Sequence, residues 1–274
     1  MSFKILGTGH FAPERIIDNE ELSTMVDTND EWIMRRIGVK QRHVCTTESV
    51  IDMGEKAALM ALEKAGVKPE ELDLIIGTTV SSESITPGVG AMVQQRIGAK
   101  CYAFDIAVAC TGFVAALDLA AGYFERKKVK KALIVSSERM SGVVDWTDRS
   151  TCCIFGDGAG AAVLGEGDGF IASNFITQGG DDVLRVPVKS DSSPFYKGRV
   201  EEAHVHMKGQ ETYRFAVNTM SGNIRTVIEK SGVPFDKIKW VIPHQANYRI
   251  ISEAARRLPE IDKERFLVNI DRYG

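Results

Sequence analysis

Short apolar runs alternate along the chain with stretches of helical periodicity. Leu74–Val80, Ala103–Val108, Ala132–Ser136, Ala159–Leu164 and Trp240–Ile242 are nearly continuous apolar segments of strand length, as in a sheet covered on both faces. Residues 53–65 and 210–230 carry their apolar side chains at helical spacing instead. In the second, Tyr213, Val217, Met220, Ile224 and Val227 mark one face, and Gly232 with Pro234 supplies the stop. This alternation predicts an α/β protein with a largely buried sheet. No Pro-, Gly- or Ser-rich linker interrupts it.

The same elements repeat. "AGVKPEELDLII" at 65–76 and "SGVPFDKIKWVI" at 231–242 share a helix end, Gly-Val, an acidic turn and an apolar strand, 166 residues apart. The same offset lays "FKILGTG" at 3–9 on "GFIASNF" at 169–175, and "CYAFD" at 101–105 on "LVNID" at 267–271. Three matches in register predict two similar halves, 1–168 and 169–274, whose interface is a natural place for an active site. The second half stops early, because Val108 maps onto Gly274.

Two chemical candidates stand at strand ends. Cys110 follows the run Ala103–Val108 and precedes a helical pattern through Phe113, Leu117, Ala120 and Phe124. A thiol at a helix start faces unpaired N–H groups and the positive dipole end, which favour the nucleophilic thiolate. The bland alternative is a small buried Cys filling a corner. His244 in "WVIPHQANYRII" follows a strand-like run, at the end where open α/β sheets hold ligands, although a lone His is more often structural. Gly156, Gly158 and Ala161 mimic a dinucleotide fingerprint, but they lead into an apolar strand-like run rather than a helix, so that reading fails.

Composition narrows the classes. The chain of 274 residues is 44% hydrophobic and 26% charged, with net charge −3, which argues against nucleic-acid binding. It contains no apolar run of membrane-spanning length. Five cysteines without a CxxC pair or zinc spacing predict reduced thiols, no metal and a cytoplasmic protein.

"DIAVACTGF" around Cys110, "PHQAN" around His244, "DEWIMRRIGVKQRH" at 30–43, "DRSTCCIFGDGAGAAVL" at 148–164 and "MKGQE" at 207–211 together carry a resemblance. The chain resembles the β-ketoacyl-acyl-carrier-protein synthase III family of the thiolase superfamily. That resemblance implies a duplicated, five-layered αβαβα fold whose second half is truncated here. It implies that Cys110 takes an acyl group from an acyl-coenzyme A substrate, with no permanently bound cofactor. His244 would then hydrogen-bond the thioester oxygen of malonyl-acyl carrier protein during decarboxylative condensation. It further implies coenzyme A contacts at Trp32, Arg36, Arg149, Met207, Gly209, Ala246, Asn247 and Ile250. Carrier-protein docking would fall to Arg249, extended by Arg256 and Arg257. Thr86 would end the acyl pocket across a homodimer, its small size admitting longer or branched primers. A family Asn that assists His244 would be the residue after Gly274, so the natural polypeptide is expected to continue. The alternatives are a related Cys/His acyltransferase or ketide synthase of secondary metabolism, and an inactive fragment.

Overall fold

A computed structural model describes residues 2–187, 193–198 and 203–274. Its elements run in chain order β1 (Ser2–Phe11), β2 (Ile16–Asp18), α1 (Asn19–Ser23), α2 (Asp30–Arg36), β3 (Gln41–His43) and α3 (Val50–Ala65). There follow β4 (Leu74–Thr78), α4 (Val89–Ile97), β5 (Tyr102–Ile106), α5 (Gly112–Glu125), β6 (Lys131–Arg139) and β7 (Asp157–Gly167). The remainder comprises β8 (Leu184–Arg185), β9 (His206–Met207), α6 (Gly209–Ser231), α7 (Tyr248–Arg256) and α8 (Ile270–Tyr273).

Two compact units result. The first gathers the described residues of 1–16, 43–140 and 156–173; the second gathers those of 17–42, 141–155 and 174–274. The spatial grouping and the sequence repeat are therefore different divisions. Segments 17–42 and 141–155 belong to the first repeat by offset, yet fold with the second unit.

The first unit is built on a five-stranded sheet in the order β1-β7-β6-β4-β5, with β4 parallel to both β5 and β6 and with β7 antiparallel to both its neighbours. Strand period assigns each side chain to a face. Ile75, Leu133, Val135 and Val163 pack with Val50, Ala57, Ala61 and Val93 of α3 and α4. Their neighbours Leu74, Ile76, Ile134 and Leu164 pack with Ala116, Ala120 and Phe124 of α5. Each such side chain stabilises the fold by roughly 1.5–3 kcal/mol when fully buried, so this doubly covered sheet is the unit's core. Gly9 brings helix and sheet close: a Cβ there would lie 2.1 Å from the carbonyl oxygen of Ala57.

The second unit has a helical core. Ile228 of α6 packs with Ile251 and Ala255 of α7, and with Val241, Leu258, Ile261 and Phe266. Here the strand expectation for Trp240–Ile242 is corrected. Val241 makes one parallel bridge with Phe266, its N–H donating to Arg265 O at 2.8 Å and its carbonyl accepting from Leu267 N at 2.9 Å. Likewise 169–175 forms no strand, and 267–271 ends in α8. Apolar patterning selects the residues that avoid water, but a strand also needs a ladder partner for its backbone.

Candidate active site

Cys110 lies in a single 3₁₀ turn, Ala109–Thr111, between β5 and α5. Ala109 has φ 47°, a left-handed conformation that costs a non-glycine residue about 1–2 kcal/mol. The turn is closed by Thr111, whose N–H and Oγ1 both donate to Val108 O at 3.2 and 2.8 Å. Gly112 is required behind it, since a Cβ there would meet Thr78 Oγ1 at 2.0 Å.

Cys110 is exposed as a residue, although protein atoms crowd around its thiol. That crowding pushes the thiol pKa above its ordinary value; a backbone hydrogen bond acts against it, and the Glu138 carboxylate adds to it. The resting group is therefore the thiol, not the thiolate expected from a helix start. Desolvation of the charged form outweighs the local donors.

His244 occupies the loop before α7. Gln245 fixes this loop: its Nε2 donates to Pro243 O at 2.9 Å and to Leu267 O at 3.0 Å, while its Oε1 accepts from Asn269 N at 2.9 Å. Desolvation lowers the pKa of His244, favouring the neutral imidazole. A neutral ring offers one N–H donor and one bare nitrogen.

The second unit brings several of the predicted coenzyme contacts together. Arg149 stacks over the Trp32 ring at 5.0 Å and donates to Asp27 O at 2.9 Å. Asn247 caps α7 by accepting from Arg249 N at 2.8 Å, and its Nδ2 donates to Arg36 O at 3.2 Å. Tyr248 N donates to Ile37 O at 2.8 Å, and Gly38, at φ 91°, leaves room for the Tyr248 side chain. The backbone of the exposed Arg36 is thereby tied to the head of α7, the helix that carries the buried Ile250. Met207, on β9 just before the exposed Gly209, lines a cavity of about 320 Å³ with Asp148, Asp182, Arg185, His206 and Lys208.

The three arginines expected to dock the carrier protein differ. Arg249 is exposed and stacks on Tyr213 at 5.2 Å. Arg256 and Arg257 both bind Glu253, at 2.7–3.0 Å, and Arg257 also donates to Asn218 at 2.7 Å. These hydrogen bonds hold the Glu253 carboxyl down to about 2. Thr86 is exposed in the loop between β4 and α4.

Sequence reasoning missed two acidic residues. Asp105, the polar break in an apolar strand, accepts from Val89 N at 2.6 Å and Gly90 N at 2.7 Å, capping α4. Glu138, at the end of β6, adds to the upward shift of the Cys110 thiol and has no flanking motif that marks it. All five cysteines are free. Cys152 and Cys153 are fully buried near Arg42, whose guanidinium donates to Ile17 O, Asn19 Oδ1 and Cys153 O at 2.8–3.3 Å. Gly158 and Gly160 lie inside β7, with no helix following. Among the described residues no group of three or more His, Cys, Asp or Glu side chains could hold a metal, and no helix is long and apolar enough to cross a membrane.

Comparison with known proteins gives these residues a context. Residues 104–179 match the family described as 3-oxoacyl-[acyl-carrier-protein (ACP)] synthase III, and 228–274 match its C-terminal part. A beta-ketoacyl-[acyl-carrier-protein] synthase III of Clostridium acetobutylicum is 43% identical over 278 aligned residues, covering 100% of this chain and 85% of that protein. The crystal structure of a 3-oxoacyl-[acyl-carrier-protein] synthase III from Aquifex aeolicus VF5 superimposes with TM-score 0.92 at 40% identity, over 99% of this chain and 85% of the other. The priming beta-ketosynthase of the R1128 polyketide pathway gives TM-score 0.89 at 33% identity, over 100% of this chain and 83% of its own. Matched along its whole length at this level, the chain belongs to the 3-oxoacyl-[acyl-carrier-protein] synthase III family of acyltransferases and has the thiolase-like α/β fold of that family.

Proposed function

We propose that this chain condenses an acyl-coenzyme A primer with malonyl-acyl carrier protein through an acyl-Cys110 intermediate, starting fatty-acid synthesis. The observation that carries this reading is the 43% identity over the full chain, joined to an exposed cysteine in a strained strand-to-helix turn. In the first step the Cys110 thiol loses its proton and its sulfur attacks the acyl thioester carbon. The acyl–sulfur bond to coenzyme A breaks, and coenzyme A thiolate leaves. In the second step malonyl-acyl carrier protein loses carbon dioxide, and the electron pair left behind forms an enolate. The enolate carbon attacks the acyl-Cys110 carbonyl, a carbon–carbon bond forms, and the Cys110 thiolate is released.

His244, held neutral by desolvation, donates its N–H to the developing enolate oxygen. Trp32 and Arg149 receive the adenine end of the coenzyme, and Arg36 lies near its phosphates. Met207, Gly209, Ala246, Asn247 and Ile250 line the pantetheine path. Arg249 contacts the acidic carrier protein, with Arg256 and Arg257 as an extension, and Thr86 bounds the acyl chain.

The enzyme works in the cytoplasm as a homodimer. β5 is an edge strand, and Tyr102, Val108, Val114 and Leu119 are exposed apolar side chains along it, the segment after it and α5, a surface suited to a second copy. A priming role for a ketide chain is the second reading, favoured by the likeness to the R1128 enzyme. Incubation with acetyl-coenzyme A and malonyl-acyl carrier protein, followed by mass spectrometry of the carrier, tests the main reading. A carrier bearing a 3-oxobutanoyl group is expected; a carrier left as malonyl or merely decarboxylated contradicts it.

A further inference from the structure

Glu138 is half-buried at the C-terminal end of β6 and stands outside the proposed chemistry. Its carboxylate is held by the segment that follows β4. Thr79 Oγ1 donates to it at 3.2 Å, Val80 N–H donates at 3.0 and 3.1 Å to its two oxygens, and Ser81 Oγ donates as well. Ser81 Oγ accepts in turn from Arg139 N at 2.7 Å. Further along, the Arg139 guanidinium pairs with Glu83 at 3.0 Å, and Glu83 accepts from Val50 N at the start of α3 at 3.1 Å. Residues 79–83 are thus tied to the end of β6 and to the head of α3.

This tie adjoins the nucleophile. Thr78, the last residue of β4, is the group against which Gly112 is seated, and Cys110 precedes Gly112 by two residues. A carboxylate taken partly out of water is costly unless its lone pairs are satisfied, and here its partners all come from one loop. Ionised, this carboxylate would oppose thiolate formation at Cys110; burial raises the pKa of Glu138 itself, and the hydrogen bonds from Ser81, Val80 and Thr79 act against that rise. The other charged groups around this tie include Arg139 and Glu83, which pair with each other, Asp157 of β7, opposite Arg139 in the ladder, and Asp105 of β5, which is engaged by the α4 amides.

We propose that Glu138 is a positioning residue of the acyl-transfer site, fixing residues 79–83 as the wall beside Cys110 and setting a negative charge near its sulfur. The proposal rests on the reading of Cys110 as the nucleophile. It requires two effects together, one on the thiol and one on the wall.

The experiment compares wild type, Glu138→Gln and Ser81→Ala. The first readout is the pH dependence of Cys110 alkylation by iodoacetamide, quantified on the Cys110 peptide. The second is the ratio of Cys110 acylation rates with acetyl- and butanoyl-coenzyme A. Glu138→Gln removes the charge, so alkylation at neutral pH rises about two- to tenfold. Its acyl ratio also changes about threefold or more, because the wall loosens. Ser81→Ala keeps the carboxyl group: the ratio shifts, while the alkylation profile stays between those of wild type and Glu138→Gln, because the lost hydroxyl had favoured the charged form. A folded Glu138→Gln protein with either readout at the wild-type value overturns the proposal. Should Glu138→Gln fail to fold, a wild-type acyl ratio in Ser81→Ala overturns it equally. If wild-type Cys110 accepts no acyl group from either donor, the functional reading fails, and the alkylation profiles still decide whether Glu138 acts on the sulfur.

Discussion

The corner that carries Cys110 and the loop that carries His244 are held in unlike ways. Cys110 follows a strand laddered in register with β4 from Tyr102 to Ile106, inside a sheet covered on both faces. His244 follows one isolated bridge, and the side chain of Gln245 supplies the hydrogen bonds that a ladder would otherwise give. Desolvation acts on both groups with opposite sign, raising the thiol pKa and lowering that of the imidazole. Both groups therefore rest uncharged. Crowding by protein atoms yields a poor resting nucleophile at one site and a neutral hydrogen-bond donor at the other.

Removing the imidazole separates the two sites most sharply. His244→Ala should lower condensation about 100- to 1,000-fold, the usual loss for one oxyanion donor. Acylation of Cys110 from acetyl-coenzyme A should change little, as single-turnover coenzyme A release would show. Equal losses in both steps would mean that His244 also serves acylation.

Stability separates them next. In Gly9→Ala the new Cβ would meet Ala57 O at 2.1 Å, forcing α3 off the sheet, and overpacking of this kind costs about 1–3 kcal/mol. Gln245→Ala removes loop hydrogen bonds and should cost about 1 kcal/mol. Denaturant unfolding of both variants ranks the two supports, and a larger loss for Gln245→Ala would reverse the comparison.

The pH dependence follows from the signs. With the Cys110 pKa raised, its thiolate fraction is small at neutral pH and grows as pH rises. Acylation should climb about tenfold per unit through the neutral range, without a plateau near pH 7. With the His244 pKa lowered, the ring stays neutral through neutral pH, and condensation should decline only below its ordinary value of 6.5. A plateau in acylation by pH 7 would show that the helix-start donors dominate after all.

The smallest effect concerns docking. Glu253→Gln frees Arg256 and Arg257 from their shared carboxylate, and the KM for malonyl-acyl carrier protein should fall about two- to threefold at low salt. An unchanged KM would leave Arg249 without that extension.

The first unit was largely legible in the sequence, because its strands are continuous apolar runs. Leu74–Val80, Ala103–Val108, Ala132–Ser136 and Ala159–Leu164 all overlap observed strands, and residues 53–65 and 210–230 fall within α3 and α6. Trp240–Ile242 was misread because an apolar run does not report whether its backbone has a partner. Cys110 and His244 were marked by their positions after strand-like runs, and the coenzyme contacts by resemblance alone. The direction of the Cys110 shift was not legible: it depends on crowding by residues distant in sequence and on Glu138, 28 positions away. Asp105 did leave a trace, as the single polar residue in its run, but its target, the head of α4, is a fact of packing.

Peptide mapping after incubation with acetyl-coenzyme A tests most directly whether the exposed cysteine of the strained turn is the nucleophile. An acetyl group should appear on the peptide that contains Cys110, with stoichiometric release of coenzyme A, and both should vanish in Cys110→Ser. Acetylation at Cys45, Cys101, Cys152 or Cys153, or labelling that survives Cys110→Ser, would contradict the assignment.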